Sequence, residues 1–296
     1  MPAAAAHTMV FRVEFPSSAE AFGSVLSTIA ESGGDVRGIR SVLPGRERTT
    51  REIEVACDAA TGERAVAALG TLDDVTVQSA EVDAVDAHAG GTLTMRNRVS
   101  VATRDDLAMA YSPGVARICV AIHDDFEKTW DYTIRGNSVM VVSDGSDVAG
   151  VGDLGPLAAL PACEAACVVM RQVGGVDGFP LPIDERDLDA AAAHIARSSS
   201  VFAGVHLTAM ATDRAAMLAE KIQALVTIPV ATDAQVSQAS LAGFWRGVLD
   251  ARASAVNDTM LAATSKAGTS ALDEAAARAV AKGVVDAAMA AGLARA

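Results

Sequence analysis

Lysine is scarce in this chain: only Lys128, Lys221, Lys266 and Lys282 occur among 296 residues, and the formal net charge is -13. So acidic a chain is a poor partner for nucleic acid or for an anionic membrane surface. Cysteine is scarce too, and Cys57, Cys119, Cys163 and Cys167 form no C-x-x-C pair and no disulfide-framework spacing. Cys163 and Cys167 stand one helical turn apart beside Met170 and read as a buried apolar stripe rather than a metal or redox pair. The five histidines (His7, His88, His123, His194, His206) are scattered, with no H-x-x-x-H. The opening "MPAAAAHTM" lacks the basic start and long apolar stretch of a signal peptide, and no apolar run is long enough to span a bilayer. A cytoplasmic location is the expectation.

What is present suits a globular protein: 51% hydrophobic and 21% charged residues, in a length that holds one large or two ordinary domains. Phe11, Val13 and Phe15 alternate with Arg12 and Glu14, which predicts a strand. Ser17 or Ser18 then offers an N-cap, and Phe22, Val25, Leu26 and Ile29 mark a helix face closed by Gly33-Gly34. "DVRGIRSVL" and "REIEVAC" alternate again, "GERAVAALG" reads as a short helix, and "VTVQSAEV" as a last strand. The predicted order is β-α-β-β-α-β, a split βαβ sandwich.

Further on, three motifs appear in order: "RDDLAMAYSPGVARICVAIHDD" (104–125), "YTIRGNSVMVVSDGSDVAGVGDLGPLAALPACEA" (132–165) and "GVDGFPLPID" (175–184). Together they resemble the N-terminal catalytic domain of bacterial malic enzymes. The segment before them resembles an ACT domain, a regulatory module that often pairs and binds small effectors such as amino acids. The resemblance implies an α/β (α+β) chain in three parts. An ACT-like βαββαβ domain covers 9–86, a malic enzyme N-domain-type core covers 87–250, and an Ala-rich helical C-terminus covers 251–296.

"GVGDLG" (Gly150, Gly152, Asp153, Gly155) matches G-x-G-x-x-G between an apolar run and a helical pattern. A dinucleotide site needs the first glycine directly off the strand, so that amides face pyrophosphate at a helix N-terminus. Here "GSDVA" intervenes after Asp144, and only one clear strand, "GVDGFPLPI", is expected to follow before a mostly helical remainder. The resemblance places this loop on the substrate side of the malic domain, and no cofactor-binding residues are assigned. The family's nucleotide domain follows the region that "KIQALVTIPVATDAQVSQASLAGFWRGVLDA" resembles, yet "RASAVNDTMLAATSKAG" comes next and looks like the segment beyond that domain. The sequence reads as a malic enzyme whose nucleotide domain has been removed and the cut ends joined.

Oxidative decarboxylation of malate requires a base, a divalent cation to polarise the carbonyl that forms, and an acid to protonate the enolate. Tyr111 matches the family's general acid, and it reads equally as a structural tyrosine. The family's lysine base, in G-P-L-A-G-L-P-x-x-E-G-K, falls on Ala166, and no lysine occurs from Thr129 to Glu220. The family's metal-binding Glu-Asp pair falls on Thr208 and Ala209, and its third carboxylate on Ala234, leaving Asp233. Magnesium and manganese want hard oxygen ligands, commonly carboxylates, so no metal site is assigned. His206 reads as a hydrogen-bonded structural residue before it reads as a ligand. Asp147 stands where some relatives place an arginine for a substrate carboxylate, and would repel an anion.

These features predict a non-catalytic homologue of enzymes that use NAD(P) with Mg or Mn, acting as a ligand-binding or regulatory protein with no cofactor of its own. The expected partners are a second copy, or an active malic enzyme in a mixed oligomer, with an amino acid or similar effector at the ACT-like seam. The alternative is a surviving oxo-acid decarboxylase, or malic-type decarboxylating enzyme, using Tyr111 and Asp233 in a remodelled cleft.

Overall fold

A computed structural model describes residues 7–83, 85, 88–148, 150–268 and 270–295. The chain divides into two compact units, Met1–Ala89 and Gly90–Ala296. The boundary read from the sequence at 86/87, and most of the N-terminal stretch read as no signal peptide, lie outside the described residues.

The first unit runs β1 (His7–Pro16), α1 (Ala19–Glu31), β2 (Asp35–Leu43), β3 (Arg48–Cys57), α2 (Ala59–Leu69) and β4 (Thr76–Val82). The strands form one antiparallel sheet in the order β2-β3-β1-β4. Alternation decides which face is covered: Phe11, Val13 and Phe15 of β1 are fully buried with Ile53 and Val55 of β3, against Val25, Ile29, Ala65 and Leu69 of the two helices. Ser18 caps α1 by accepting from the Ala21 amide, and Asp58 caps α2 by accepting from Thr61. The other face carries cross-strand charge pairs, Arg12 and Arg40 with Glu52 and Arg48 with Glu14, of the kind worth well under about 1 kcal/mol each.

The second unit opens with two helices, α3 (Arg104–Ala110) and α4 (Gly114–Asp124), and a single turn, α5 (Thr129–Tyr132). Thr103 and Asp106 form a reciprocal capping box at the start of α3. Neither α3 nor α4 contains a buried residue. Then strands and helices alternate: β5 (Ser138–Ser143), α6 (Leu160–Gly174), β6 (Asp177–Pro182), α7 (Leu188–Ser198), β7 (Gly204–Leu207), α8 (Thr212–Gln223) and β8 (Val230–Thr232). Three helices close the unit: α9 (Gln238–Asp250), α10 (Asp258–Ala262) and α11 (Glu274–Ala290).

The sheet is wholly parallel, in the order β6-β5-β7-β8. This corrects the expectation that a single strand follows "GVGDLG": three do. β7 and β8 are only four and three residues long and buried on both faces, so they carry no alternation for a sequence pattern to reveal. Helices cover both faces. Met140 and Val142 point with Val205 and Leu207 toward α7 and α8, while Val139 and Val141 point toward α6, α9 and α11. The C-terminal helices join this second core through Val280, Val284 and Ala288. α9 and α11 approach closely: a Cβ on Gly243 would lie 2.4 Å from the Ala277 carbonyl oxygen, and one on Gly247 2.5 Å from that of Ala281. The two glycines, one turn apart, let the backbones touch.

Candidate functional site

In an open parallel sheet, ligands bind beyond the carboxyl ends of the strands, where the chain switches from one side of a central strand to the other. Here the switch is at β5, whose neighbours are β6 on one side and β7 on the other. The residues leaving β5, β7 and β8 meet at that edge.

Asp144 follows β5 directly and is 1% exposed. Its carboxylate accepts from the Ser146 hydroxyl at 2.6 Å and the Ser146 amide at 3.0 Å, and pairs with Arg214 of α8. Burial pushes the Asp144 carboxyl up, but Ser146 and the Arg214 guanidinium outweigh it and hold the group below the ordinary carboxylate range. Arg214 also donates to the Glu185 carbonyl at 3.1 Å. This network binds the loop after β5 to the start of α8.

Asp233 follows β8. One oxygen pairs with His206 Nε2 at 2.9 Å; the other accepts from the Thr208 hydroxyl at 2.8 Å and the Ala209 amide at 3.2 Å. Partial desolvation acts upward on this carboxylate, whose side chain is still 56% exposed, yet the His206 contact, the Thr208 hydroxyl and the Ala209 amide together hold its pKa below the usual value. His206 is fully buried, and its ring meets Trp245 edge-on at 6.0 Å. His206 Nδ1 has no hydrogen-bond partner, so the tautomer that satisfies most groups carries its proton on Nε2 and donates to Asp233. Cys163, on α6, lies close enough to Asp233 for that charge to act on it. Burial first, and Asp233 second, push its thiol up to about 12, and burial chiefly takes Cys167 to about 12 as well. Both stay protonated and inert as nucleophiles.

Ala209 links these groups. Its amide binds Asp233, and its carbonyl accepts from the Ser143 hydroxyl at 3.1 Å and the Asp147 amide at 3.4 Å. Held from both sides, it adopts φ 50°, a left-handed conformation that costs a residue with a Cβ about 1–2 kcal/mol. We expect Ala209→Gly to raise unfolding stability by about 0.5 kcal/mol, the relief of strain exceeding the added chain entropy. Urea unfolding measures it, and a less stable glycine variant would refute the strain.

The sequence-assigned residues distribute unevenly around this edge. Thr208, Ala209 and Asp233 come together. Ala166 lies inside α6, one turn beyond Cys163 and 9% exposed. Ala234 is exposed and lines a neighbouring cleft of about 340 Å³ with Thr232, Gln235, Glu220, Asn257 and Asp258. Tyr111 ends α3, is 68% exposed, and no hydrogen bond joins it to Asp233 among the described residues. Asp147 is exposed.

The glycine loop folds on itself. The amides of Leu154 and Gly155 donate to the Gly145 carbonyl at 3.0 and 3.2 Å, and Val148 and Gly152 form a bridge. A Cβ on Gly145, at φ +69°, would lie 2.0 Å from the Gly155 carbonyl oxygen, so this crossing needs glycine. Gly150 sits at the loop's turn, and Asp153 accepts from Arg186 at 3.1 Å. α6 starts only at Leu160. The loop's amides are spent internally rather than aimed at a phosphate, as a dinucleotide fingerprint requires.

The donor set does not fit Mg or Mn. Thr208 offers a hydroxyl already donating to Asp233, Ala209 and Ala234 offer methyl groups, and both Asp233 oxygens are engaged. Among the described residues no three His, Cys, Asp or Glu side chains are grouped to hold an ion. Sequence reasoning missed the Asp144–Ser146–Arg214 network and the cleft residues Gln235, Asn257 and Asp258. Asp144, at the end of "SVMVVSD", had a usable signal in its position after a buried strand; Arg214 had none.

Comparison with known proteins finds malic enzymes as relatives. Residues 92–236 match the family model described as malic enzyme, N-terminal domain. The NAD-dependent malic enzyme of Geobacillus stearothermophilus is 32% identical over 236 residues, covering 79% of this chain and 49% of that protein. The bifunctional malic/malolactic enzyme of Bacillus subtilis is 39% identical over 145 residues, 49% of this chain and 35% of its own. Among solved structures, a malic enzyme from Pyrococcus horikoshii Ot3 superposes with TM-score 0.64 at 19% identity, over 69% of this chain and 88% of that one, a likeness of fold. The NAD-dependent malic enzyme of Thermotoga maritima superposes with TM-score 0.51 at 29% identity, over 58% of this chain and 49% of that one. The chain spans about half the length, or less, of these curated relatives.

Proposed function

We propose that this homologue of bacterial malic enzymes, a chain that carries their N-terminal domain, no longer performs oxidative decarboxylation and serves as a ligand-binding or regulatory protein. One observation carries the reading. At the sheet edge where the family resemblance implies three metal-binding carboxylates, Thr208, Ala209 and Ala234 stand instead, and Asp233 spends both oxygens on its own chain. Ala166 in place of the implied lysine base supports it, since losing a general base costs about 100- to 10,000-fold in rate.

The same proposal assigns an ACT-like role to the βαββαβ unit over 9–86, a malic-type core over 87–250, and helices over 251–296 that resemble those beyond the relatives' nucleotide domain. An amino acid or similar effector at the ACT-like unit, a second copy of this chain or an active malic enzyme as partner, and a cytoplasmic setting belong to it too. No helix among the described residues is long and apolar enough to cross a membrane. A surviving decarboxylase built on Tyr111 and Asp233 draws little support from the geometry, because Tyr111 is 68% exposed and no hydrogen bond joins it to Asp233 among the described residues.

Malate, manganese and NAD(P) supplied to the purified chain are expected to give no turnover. Manganese-dependent release of carbon dioxide from malate would overturn the proposal. The emptied donor set has its own test. The triple variant Thr208→Glu, Ala209→Asp, Ala234→Asp is expected to bind manganese at least about tenfold more tightly than the parent by calorimetry, because hard carboxylate ligands return. Equal affinity would mean that these positions do not converge on an ion.

A further inference from the structure

We propose that the second unit carries a phosphate-binding site at the amino ends of its strands, formed by Arg135, Arg252 and Arg295 around Trp130. The site lies at the opposite edge of the sheet from Asp144 and Asp233. It belongs to the other unit from the ACT-like effector, and it is independent of the function proposed above.

Three separate segments bring the guanidinium groups together. Arg135 precedes β5, and its Cζ lies 4.6 Å from the centre of the Trp130 ring. Arg295 follows α11, with its Cζ 5.7 Å from the same centre, which keeps the two like charges within about a Debye length of each other. The Arg295 amide donates to the Ala251 carbonyl at 3.2 Å, so its backbone sits beside Arg252. Arg252 in turn pairs with Asp131, the neighbour of Trp130 in α5, at 2.6 Å. The Arg295 guanidinium also donates to the carbonyl of Thr227, just before β8. Trp130 is 6% exposed, a fixed indole on which both cations rest.

The protein does not balance these charges itself. Arg135 donates only to the Thr129 hydroxyl, at 2.8 Å, and its Nε has no partner. Neither Arg135 nor Arg295 pairs with a carboxylate among the described residues. Burial first, and the Arg295 charge second, weaken the hold of Arg135 on its proton, against the pull of Glu127; it stays charged all the same. The carbonyl end of α9 favours a cation nearby, but that does not account for Arg252. Arg252 closes α9 at φ 45°. Its own amide reaches back to the Leu249 carbonyl and that of Ala253 to Val248, a turn that glycine makes without strain. Strain of the kind described for Ala209 exceeds what an ion pair with the half-exposed Asp131 returns. A guanidinium held there at such a cost needs a further partner, and beside two more guanidinium groups that partner is an anion. Planar forks arriving from three segments suit the tetrahedral oxygens and double charge of a phosphate group better than the two coplanar oxygens of a carboxylate.

Calorimetry of the full chain with inorganic phosphate tests the site. Phosphate is expected to bind with a dissociation constant of about 1 mM or tighter. It is also expected to shift the emission of Trp130 in a Trp245→Phe chain, where Trp130 is the only tryptophan. Arg252→Gly and Arg295→Gln are each expected to weaken binding at least about tenfold, the loss for a hydrogen bond to a charged group. Because Arg252→Gly relieves backbone strain, its thermal midpoint is expected to hold or rise, so weaker binding does not come from a damaged fold. Glycerol 1-phosphate is expected to bind as well; either order of affinity upholds the site and says whether free phosphate or a phosphate ester is the better occupant. The absence of saturable heat at about tenfold that concentration overturns the site, as does phosphate binding that survives both substitutions. Succinate binding as tightly as phosphate overturns the assignment to a phosphate group.

Discussion

Replacing Asp144 with alanine is expected to cost the Gly90–Ala296 unit about 3–5 kcal/mol, the usual penalty for leaving one member of a buried ion pair without its partner. Asp144 is 1% exposed and Arg214 has a side chain 20% exposed, so little water can take the place of the carboxylate. Asp144→Asn is expected to cost less, because its amide oxygen still accepts from Ser146. The sign of the pH dependence follows from the depressed carboxyl. A group whose folded pKa lies below its unfolded value stabilises the fold fully above that unfolded value, about 3.9 for aspartate. The contribution is lost as pH falls through the folded value. Asp233 is depressed in the same direction. The parent is therefore expected to lose stability as acid is added below about pH 4, and Asp144→Ala to show a shallower loss. Urea unfolding at pH 7 and at pH 3.5 measures both; equal pH slopes in parent and variant would show that the pair does not stabilise the fold.

Trp245→Ala is expected to cost a further, independent amount of about 3–5 kcal/mol, the range for truncating a fully buried tryptophan. Trp245 is 0% exposed; it meets Phe244 at 5.4 Å and His206 at 6.0 Å, both edge-on. Its Nε1 has no hydrogen-bond partner. Trp245→Phe should therefore cost far less than alanine, since phenylalanine restores most of the apolar volume and removes a buried donor that gains nothing. Thermal unfolding separates the two. If phenylalanine is as costly as alanine, the indole N–H is satisfied after all and the account of this core fails. Because Trp245 also walls His206, the alanine variant is expected to loosen the His206–Asp233 contact, readable as a shifted imidazole resonance.

How much of this was legible beforehand depended on which physical signal each element leaves. The first unit declared itself because Phe11, Val13 and Phe15 alternate along a sheet covered on one face. β5 was visible as an apolar run ending in a polar residue. β7 and β8 were not, because "GVHL" and "VAT" are too short to show a period. The candidate site inherited that limit. Thr208, Ala209 and Asp233 could be picked out by resemblance, but their meeting depends on β7 and β8 lying side by side, a fact of topology rather than spacing. Arg214 and Asp144 are 70 residues apart, and nothing local marks either as the other's partner. The open faces of α3 and α4 were equally hidden, since an amphipathic pattern says that a face needs cover and not what covers it.

The backbone contact at Gly243 and Gly247 has a consequence for how such a chain can grow. α9 and α11 hold each other directly, and α10 is anchored by the buried Met260 and Ala263. The segment Ser270 to Leu272, at the surface, is therefore not needed to keep the helices paired. Extra residues inserted there lengthen a tether whose two ends are already fixed, and loop-closure entropy penalises such lengthening only slowly. Lengthening that segment is therefore expected to cost the fold little stability.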